Sequence, residues 1–286
     1  MRDLRRFASA LVLMLAFFGS PTSADTNVSG TLGTDTTWLA SGSPYVVIDT
    51  VTVSNGRTLT IEPGVTVKFN SGKVLYVAGR LLAVGTSTAP ITFTASATSP
   101  ARGSWGYIDI QAGANPASEV AFATISYGGG GGSAAFRVAN GTVTLTDVTV
   151  TESSTSGIRL ESSAAQILNN VTVSNCTASG VHIEGQTGLN TITGSTFSGN
   201  GSYGINFVGL ARASVNNSTF TNNTDYAIGA QARSDIQGLA GLTATGNGAG
   251  SKNAIGYRGG YVTGNETWRY GSLGYVITSE VIVWSP

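Results

Sequence analysis

Charged and polar side chains recur at two positions of a repeating strand pattern. If one apolar residue of each strand points inward, the next points outward, because successive side chains lie on opposite faces of a strand. Aligned in this way, the strands place these residues on one outward strip: Asp109, Arg137, Arg159, Glu161, His182, Glu184 and Asn206. These seven residues are the candidates for contact with a ligand. Within the strip, Arg159, Glu161, His182 and Glu184 are the candidates for catalysis.

Carboxylate, guanidinium and imidazole groups suit sugar hydroxyls or a uronate, and they can also transfer protons. Hydrolysis by two carboxylates requires acids that face each other across the scissile bond, whereas Glu161 and Glu184 are expected to be stacked neighbours. Calcium requires several oxygen ligands, and no Asp-x-Asp pair occurs. We therefore predict no metal and no cofactor. Carbohydrate contact and a plain surface remain as interpretations alongside catalysis.

The composition excludes several classes of protein. Of 286 residues only 10% are charged, with 15 basic and 15 acidic side chains, so there is no positive excess to bind nucleic acid. Cys176 is the single cysteine and His182 the single histidine. These counts exclude an intramolecular disulfide framework, a multi-cysteine metal site and a histidine-rich metal centre. The 39 glycines favour short strands and turns.

Residues 1–24 have the pattern of a signal peptide. Three arginines precede an apolar run, Ala8 to Phe18, and Thr22-Ser23-Ala24 offers a cleavage site with small residues. The apolar run is too short to cross a bilayer, and no later stretch reaches that length. We predict a secreted or cell-surface protein without a membrane-spanning segment after the leader.

The remainder of the chain repeats with a period of about 23 residues. Apolar residues inside alternating segments recur at spacings of 23, 24, 23 and 24: Val150, Val173, Phe197, Phe220 and Ala244. Short strands with this period cannot bury their apolar faces alone, but stacked coils form a continuous interior. We predict an all-β parallel solenoid. A β-sandwich also uses short strands and turns, but it does not require a fixed period.

Several segments carry a family resemblance. TLTIEPGVTVKF (58–69), LYVAGRLLAVGT (75–86), PITFT (90–94) and WGYIDI (105–110) resemble bacterial secreted right-handed parallel β-helix proteins of the pectate-lyase-like superfamily. The resemblance implies a right-handed coil. Polysaccharide lyases and hydrolases of similar fold carry clustered acids in an exterior sheet groove, often with calcium or a basic proton acceptor. Surface modules and adhesins share the fold, so it does not select an activity.

A second repeat has a longer period. Thr37 to Val53 aligns without a gap on Thr267 to Val283 at an offset of 230, with six identities in seventeen positions. We expect residues 25–102 to form a cap and the first coils, and residues 103–261 the body. Residues 262–286 then begin a second, truncated module, or form a C-terminal cap. The chain is accordingly expected to be a monomeric module of a longer protein.

Two further columns consist of hydroxyl and amide residues. Six successive coils carry Thr-x-Thr or Thr-x-Ser, beginning at Thr124, Thr149, Thr172, Thr196, Thr219 and Thr243. A regular grid of hydroxyls and methyls is a surface that can order water as ice or meet a crystalline polysaccharide, although Thr is also favoured on strand exteriors. Asn175, Asn200, Asn223 and Asn247 are predicted to occupy similar turn positions, with amides that bond from coil to coil.

Three hypotheses for the function follow from these residues. The favoured one is an exported, non-catalytic module, structural or adhesive, whose partner is an extracellular polysaccharide or cell-surface glycan. The second is a polysaccharide lyase or glycoside hydrolase that acts on the outward strip. The third is ice binding through the Thr and Ser columns.

Overall fold

The computed structural model describes residues 25–111, 118–132, 134–185, 188–262 and 267–283. The predicted signal peptide, residues 1–24, lies outside these residues. In the described ranges, no helix is long and apolar enough to cross a membrane. Ala40–Gly42 is a single 3-10 turn, and Asn247–Gly250 is a short turn in which Gly248 and Ala249 have positive φ.

The described residues otherwise form short strands. They are β1 (Thr26–Leu32), β2 (Thr36–Trp38), β3 (Tyr45–Val53), β4 (Thr58–Ile61), β5 (Thr66–Phe69), β6 (Leu75–Val77), β7 (Arg80–Val84), β8 (Ile91–Ala95), β9 (Ile108–Ile110), β10 (Ser118–Ser126), β11 (Ala134–Val138), β12 (Val143–Thr151), β13 (Ser156–Leu160), β14 (Ile167–Asn169), β15 (Thr172–Ser174), β16 (Val181–Glu184), β17 (Asn190–Thr193), β18 (Thr196–Ser198), β19 (Ile205–Val208), β20 (Arg212–Asn216), β21 (Thr219–Thr221), β22 (Ile228–Gln231), β23 (Asp235–Gly238), β24 (Thr243–Thr245), β25 (Ile255–Arg258), β26 (Gly260–Val262), β27 (Tyr275–Ile277) and β28 (Val281–Val283).

Each coil pairs in parallel with the next, and the fold is the predicted all-β solenoid of about 11 turns. The apolar column found in the sequence is one line of paired residues through β12, β15, β18, β21 and β24: Val150, Val173, Phe197, Phe220 and Ala244. The period of about 23 residues is therefore confirmed as the length of one turn.

Three faces follow one another around a coil: the first carries β14, β17, β20 and β23, the second β15, β18, β21 and β24, and the third β16, β19 and β22. Residues with a left-handed backbone separate the first face from the second. In the coil that begins at Val143, Asp147 has φ 54°. The equivalent residues of the next coils, Asn170, Gly194, Asn217 and Gly241, have φ values between 49° and 64°. Asn and Gly tolerate this conformation better than other residues do. A single left-handed residue thus redirects the chain from one sheet to the next.

The interior is a continuous apolar column. Strand residues alternate between buried and partly exposed, as in Thr219–Thr221, where Phe220 is buried. Phe197 and Phe220 stack with ring centroids 5.2 Å apart, and Trp105 stacks on Phe69 at 4.1 Å. Each coil covers the apolar edge of its neighbour, which an isolated coil could not do.

The amide column differs from its prediction by one residue. Asn200, Asn223 and Asn247 form a buried ladder, in which the Nδ2 of Asn200 donates to the Oδ1 of Asn223 at 2.9 Å and the Nδ2 of Asn223 donates to the Oδ1 of Asn247 at 2.8 Å. Asn175 is not a member, because it is exposed and left-handed, with φ 54°. The equivalent position is Cys176, whose backbone N–H donates to the Oδ1 of Asn200. The ladder thus ends at the cysteine.

Candidate functional site

The outward strip lies on the third face of the solenoid, which we call the charged face. Its strands are β9, β11, β13, β16, β19, β22 and β25, which pair in parallel one after another. The paired register places five of the predicted residues side by side in one row: Asp109, Arg137, Arg159, His182 and Asn206. The inward neighbours of this row, such as Ile158 and Val181, are fully buried. Because core packing fixes which side chains point inward, it also fixes the alignment of the charged residues outside.

Arg137 joins the first two carboxylates of the charged face. Its guanidinium lies 2.7 Å from the Glu161 carboxylate and 3.4 Å from the Oδ2 of Asp109. Desolvation works against the charged form of Arg137, but the hydrogen bond to Glu161 and the charge of Asp109 outweigh it and raise the pKa of the guanidinium. Arg137 therefore remains charged.

Arg159 continues the chain of ion pairs toward the next coil. Its Nε donates to the Oε1 of Glu161 at 2.5 Å, and its guanidinium also donates to the Glu184 carboxylate. Burial alone would raise the pKa of Glu161, but the hydrogen bonds from Arg137 and Arg159 hold the pKa below its ordinary value. Glu161 is thus an ionised acceptor clamped between two arginines.

His182 occupies the middle of the charged face, in surroundings that favour its neutral form. Burial, followed by the charge of Arg159, lowers its pKa, while Glu184 opposes this effect. The Nδ1 of His182 lies 3.2 Å from the Nδ2 of Asn206. Its Nε2 is 3.4 Å from the Glu184 carboxylate but has no hydrogen bond among the described residues. Because the Nδ2 of Asn206 can only donate, Nδ1 accepts, and the buried Nε2 carries the proton of the neutral ring beside the Glu184 carboxylate.

Two residues predicted to be exposed are buried. Asp109 is 1% exposed and Asn206 is 8% exposed. Arg137 lies across Asp109, and the guanidinium of Arg258 donates to the Oδ1 of Asn206 at 2.5 Å, so long side chains of later coils cover both. Burial raises the pKa of Asp109, and the charge of Arg137 offsets part of this rise.

The charged face continues beyond the predicted residues into a second cluster. The guanidinium of Arg258 lies 5.0 Å from the centre of the Tyr203 ring, and the Nζ of Lys252 lies 5.3 Å from that of Tyr226. Lys252 also pairs with Asp225 at 2.8 Å. Among the described residues, Arg258 has no carboxylate at ion-pair distance. With this cluster the face spans six coil steps, or roughly 29 Å at about 4.8 Å per step.

Sequence reasoning missed this cluster because its residues break the repeat. Tyr203 precedes its strand. In the two coils that follow Asn206, the equivalent positions are glycines, namely Gly229 and Gly256. A Cβ at Gly229 would lie 2.6 Å from the Tyr203 ring, and a Cβ at Gly256 would lie 2.4 Å from the Tyr226 ring. The pattern of a tyrosine followed by a glycine one coil later was the available signal.

The Thr and Ser columns form the second face, which we call the hydroxyl face. The threonine column extends over eight coils rather than six, since Thr92 pairs with Thr124 and Thr66 pairs with Thr92. Neighbouring hydroxyls bond across coils, as from Ser174 to Thr151 at 3.1 Å. The two additional coils were missed because longer loops interrupt the period there.

The carboxylates of the charged face are engaged by arginines rather than gathered around an ion. In the part of the chain that the structure describes, no group of three or more His, Cys, Asp or Glu side chains could hold a metal. Glu161 and Glu184 lie on successive coils of one sheet with Arg159 between them. The arrangement offers fixed hydrogen-bond donors and acceptors along one direction.

Comparison with family models identifies the fold. A model described as right handed beta helix region matches residues 134–276, which is half of the chain. The chain belongs to the right-handed beta helix family. A second model, described as pectate-lyase like beta helix domain, matches residues 30–136 of this β-helix protein.

Individual relatives are more distant. A segment of 51 residues is 51% identical to Protein bark beetle of Drosophila melanogaster. This match covers 18% of the β-helix chain and 2% of that protein. Among solved structures, a mutant of a periplasmic alginate epimerase is similar over 84% of this chain and 76% of that one, with 10% identity and a TM-score of 0.34. That degree of likeness says nothing about activity.

Proposed function

We propose that this chain is an exported, non-catalytic β-helix module that binds extracellular polysaccharide through its charged face, within a larger secreted or cell-surface protein. The observation that carries the proposal is the continuous ion-pair chain from Asp109 through Arg137, Glu161 and Arg159 to Glu184. Each charged group in it already has a partner of opposite sign. The face therefore presents a fixed row of donors and acceptors.

Sugar hydroxyls both donate and accept hydrogen bonds, so a mixed row suits them better than a row of one sign does. The half-exposed rings of Tyr203 and Tyr226 add apolar surface next to polar groups, a combination that is common at binding surfaces. The length of the face matches a linear polymer lying along the solenoid axis. A polysaccharide chain is therefore favoured over a compact ligand.

The state of the candidate catalytic groups argues against turnover. A general acid works best with a pKa near the operating pH. The two arginines lower the pKa of Glu161 and so move it away from that range. The guanidinium of Arg159 donates to two carboxylates, and a guanidinium cation has no acceptor for a proton from a sugar. Glycan retention without cleavage is the function that these states support best.

A glycan array probed with residues 25–286 tests the proposal, with calorimetric titration of the best ligand. Val208 and Thr196 are both outward strand residues, on the charged face and the hydroxyl face respectively. We expect Val208→Tyr to weaken binding at least tenfold by covering the sheet beside Glu184, whereas Thr196→Tyr leaves affinity unchanged. Equal affinities for the two variants and the wild type contradict the proposal.

A polysaccharide lyase or hydrolase is the alternative on the same face. The contact between the His182 imidazole and the Glu184 carboxylate, at 3.4 Å, is the observation that favours it, because imidazole and carboxylate groups can transfer protons. Release of reducing sugar or unsaturated product on neutral and polyanionic glycans tests this alternative. Product that forms with the wild type and disappears with Glu161→Ala would replace the binding proposal with an enzymatic one.

Ice or crystal binding is a second candidate, because the threonine column continues over eight coils. Seven steps of about 4.8 Å give a regular array roughly 34 Å long. Thermal hysteresis that vanishes when Thr172→Tyr and Thr196→Tyr are combined would support this role. Unmodified ice growth in a solution of the wild-type protein would exclude ice binding.

Export is part of the proposal and rests on the leader pattern of residues 1–24. Expression of the complete chain in a secreting host is expected to yield a product that begins at Asp25. N-terminal sequencing of the product distinguishes this result from a retained leader.

A further inference from the structure

The last described coil repeats the first one in structure as well as in sequence. In the first coil, Gly30 pairs with Val51 and Leu32 pairs with Val53. In the last coil, Gly260 pairs with Val281 and Val262 pairs with Val283. All of these partners are related by the offset of 230 residues. The correspondence therefore extends upstream of the aligned segments, to β1 and β26.

The aromatic pair at the centre of the repeat is also reproduced. Trp38 and Tyr45 stack with ring centroids 5.0 Å apart and 11° between their planes. Trp268 and Tyr275, the equivalent residues, stack at 5.6 Å and 14°. A terminal strand that resembled the first coil by sequence alone would not reproduce this stack. The two segments are thus copies of one structural unit.

The copies differ in what covers the strand edge on the side of the following coil, which we call the outer edge. Trp38 is 2% exposed and Val47 and Val53 are fully buried, whereas Trp268 is 40% exposed. The equivalents of the two valines, Ile277 and Val283, are 56% and 76% exposed. Among the described strands, β27 pairs with β25 on one side and with none on the other.

The first copy identifies what buries such an edge. The next coil, β4 to β6, lies on it in parallel register, and its inward residues meet the edge directly. The pairs are Trp38 with Ile61, Tyr45 with Val67 and Val51 with Leu75. In addition, the backbone N–H groups of Glu62, Asn70 and Ala78 donate to the carbonyls of Trp38, Val47 and Val53.

We propose that the outer edge of residues 267–283 is a docking surface for one further β-helix coil of the kind that residues 58–77 form. An exposed strand edge with apolar side chains favours the addition of another strand, and the first copy supplies the register. The occupant has apolar inward residues at the positions of Leu59, Ile61, Val67 and Leu75. This surface is distinct from the charged face and does not depend on the proposed glycan binding.

A tandem protein tests the proposal, in which residues 1–283 are joined directly to residues 54–262 of a second copy. Ser54 then follows Val283 as it follows Val53 in the natural chain. Hydrogen exchange is measured by mass spectrometry on peptides that cover residues 267–283. We expect exchange in these peptides to be at least about tenfold slower in the tandem than in the single chain, because local opening would break the new pairing.

The matched control is the same tandem with Leu59→Asp and Ile61→Asp in the second copy alone. It should exchange at residues 267–283 as fast as the single chain, since a coil with buried carboxylates cannot seat. Unchanged exchange in the unmodified tandem contradicts the proposal, whether the second copy folds separately or remains unfolded. Protection in the single chain that increases with protein concentration also contradicts it, because a second molecule would then fill the edge.

Discussion

The charged face and the hydroxyl face lie on the same coils but differ in how their side chains are held. On the hydroxyl face, short side chains interact with the next coil through single contacts, such as that from Thr243 to Thr219 at 3.0 Å. On the charged face, each long side chain reaches across one or two coils, and Arg258 contacts Asn206, 52 residues earlier in the chain. The backbone ladder is common to both faces. A parallel solenoid can therefore carry either a repetitive or a coupled surface without a change in its core.

The largest expected effect lies at the corner that joins the two faces. Asn223→Ala removes the acceptor of the Asn200 backbone N–H and the donor to the Phe197 carbonyl. Buried groups left without partners should lower the free energy of unfolding by about 3 kcal/mol, which urea denaturation measures. Asn222→Gly is the matched control, since Gly199 and Gly246 hold the equivalent left-handed position, and we expect about 0.5 kcal/mol or less there. Equal losses for the two variants would show that the ladder contributes nothing.

A smaller loss is expected on the charged face. Glu161→Gln keeps the shape of the side chain but leaves Arg137 and Arg159 with less compensation, which should cost roughly 2 kcal/mol for a partly buried network. The comparison is Glu152→Gln, which weakens the more exposed pair between Glu152 and Arg102 and should cost at most about 1 kcal/mol. If both glutamates contribute alike to the midpoint of denaturation, the charged face is an ordinary surface.

The pH dependence of stability should separate the two faces further. The pKa of His182 is lower in the folded chain than in the unfolded one, so acid protonates the unfolded state first. The contribution of His182 is therefore present above pH 6.5 and is lost as pH falls through the window below it. We expect the free energy of unfolding to fall less between pH 7 and pH 5 in His182→Gln than in the wild type.

The control for this titration is Thr172→Val, which should retain the wild-type slope because the hydroxyl face has no titrating group at that position. Chemical denaturation at several pH values measures both variants. A slope that is unchanged by His182→Gln, or one of the opposite sign, would mean that the imidazole is not buried in its neutral form.

The smallest effect is expected on the hydroxyl face itself. Thr196→Val preserves volume and strand preference, so the free energy of unfolding should change by about 0.5 kcal/mol or less. Thermal denaturation of this variant beside Glu161→Gln gives the contrast directly. A loss from Thr196→Val as large as that from Glu161→Gln would place the coupling between coils in the hydroxyls as well.

The period of the sequence was sufficient to predict the solenoid and the register of its strands. Val173 and Phe197 recur with the length of one turn, and core packing permits one alignment of Arg159 with His182. The burial of Asp109 and the role of Arg258 could not be predicted, because both depend on how long side chains fold over neighbouring coils. Asn175 and Cys176 were exchanged in the ladder for a related reason, since a one-residue corner changes which side chain points inward.

The most direct test of the central claim uses a glycan that the protein binds on the array. The glycan is incubated for a long time with an equal amount of protein and recovered, and its proton NMR spectrum is recorded. If the charged face is a row of neutralised donors and acceptors, the recovered glycan gives the spectrum of the starting material. New reducing-end or unsaturated-sugar signals that are absent with Glu161→Ala would contradict a non-catalytic module.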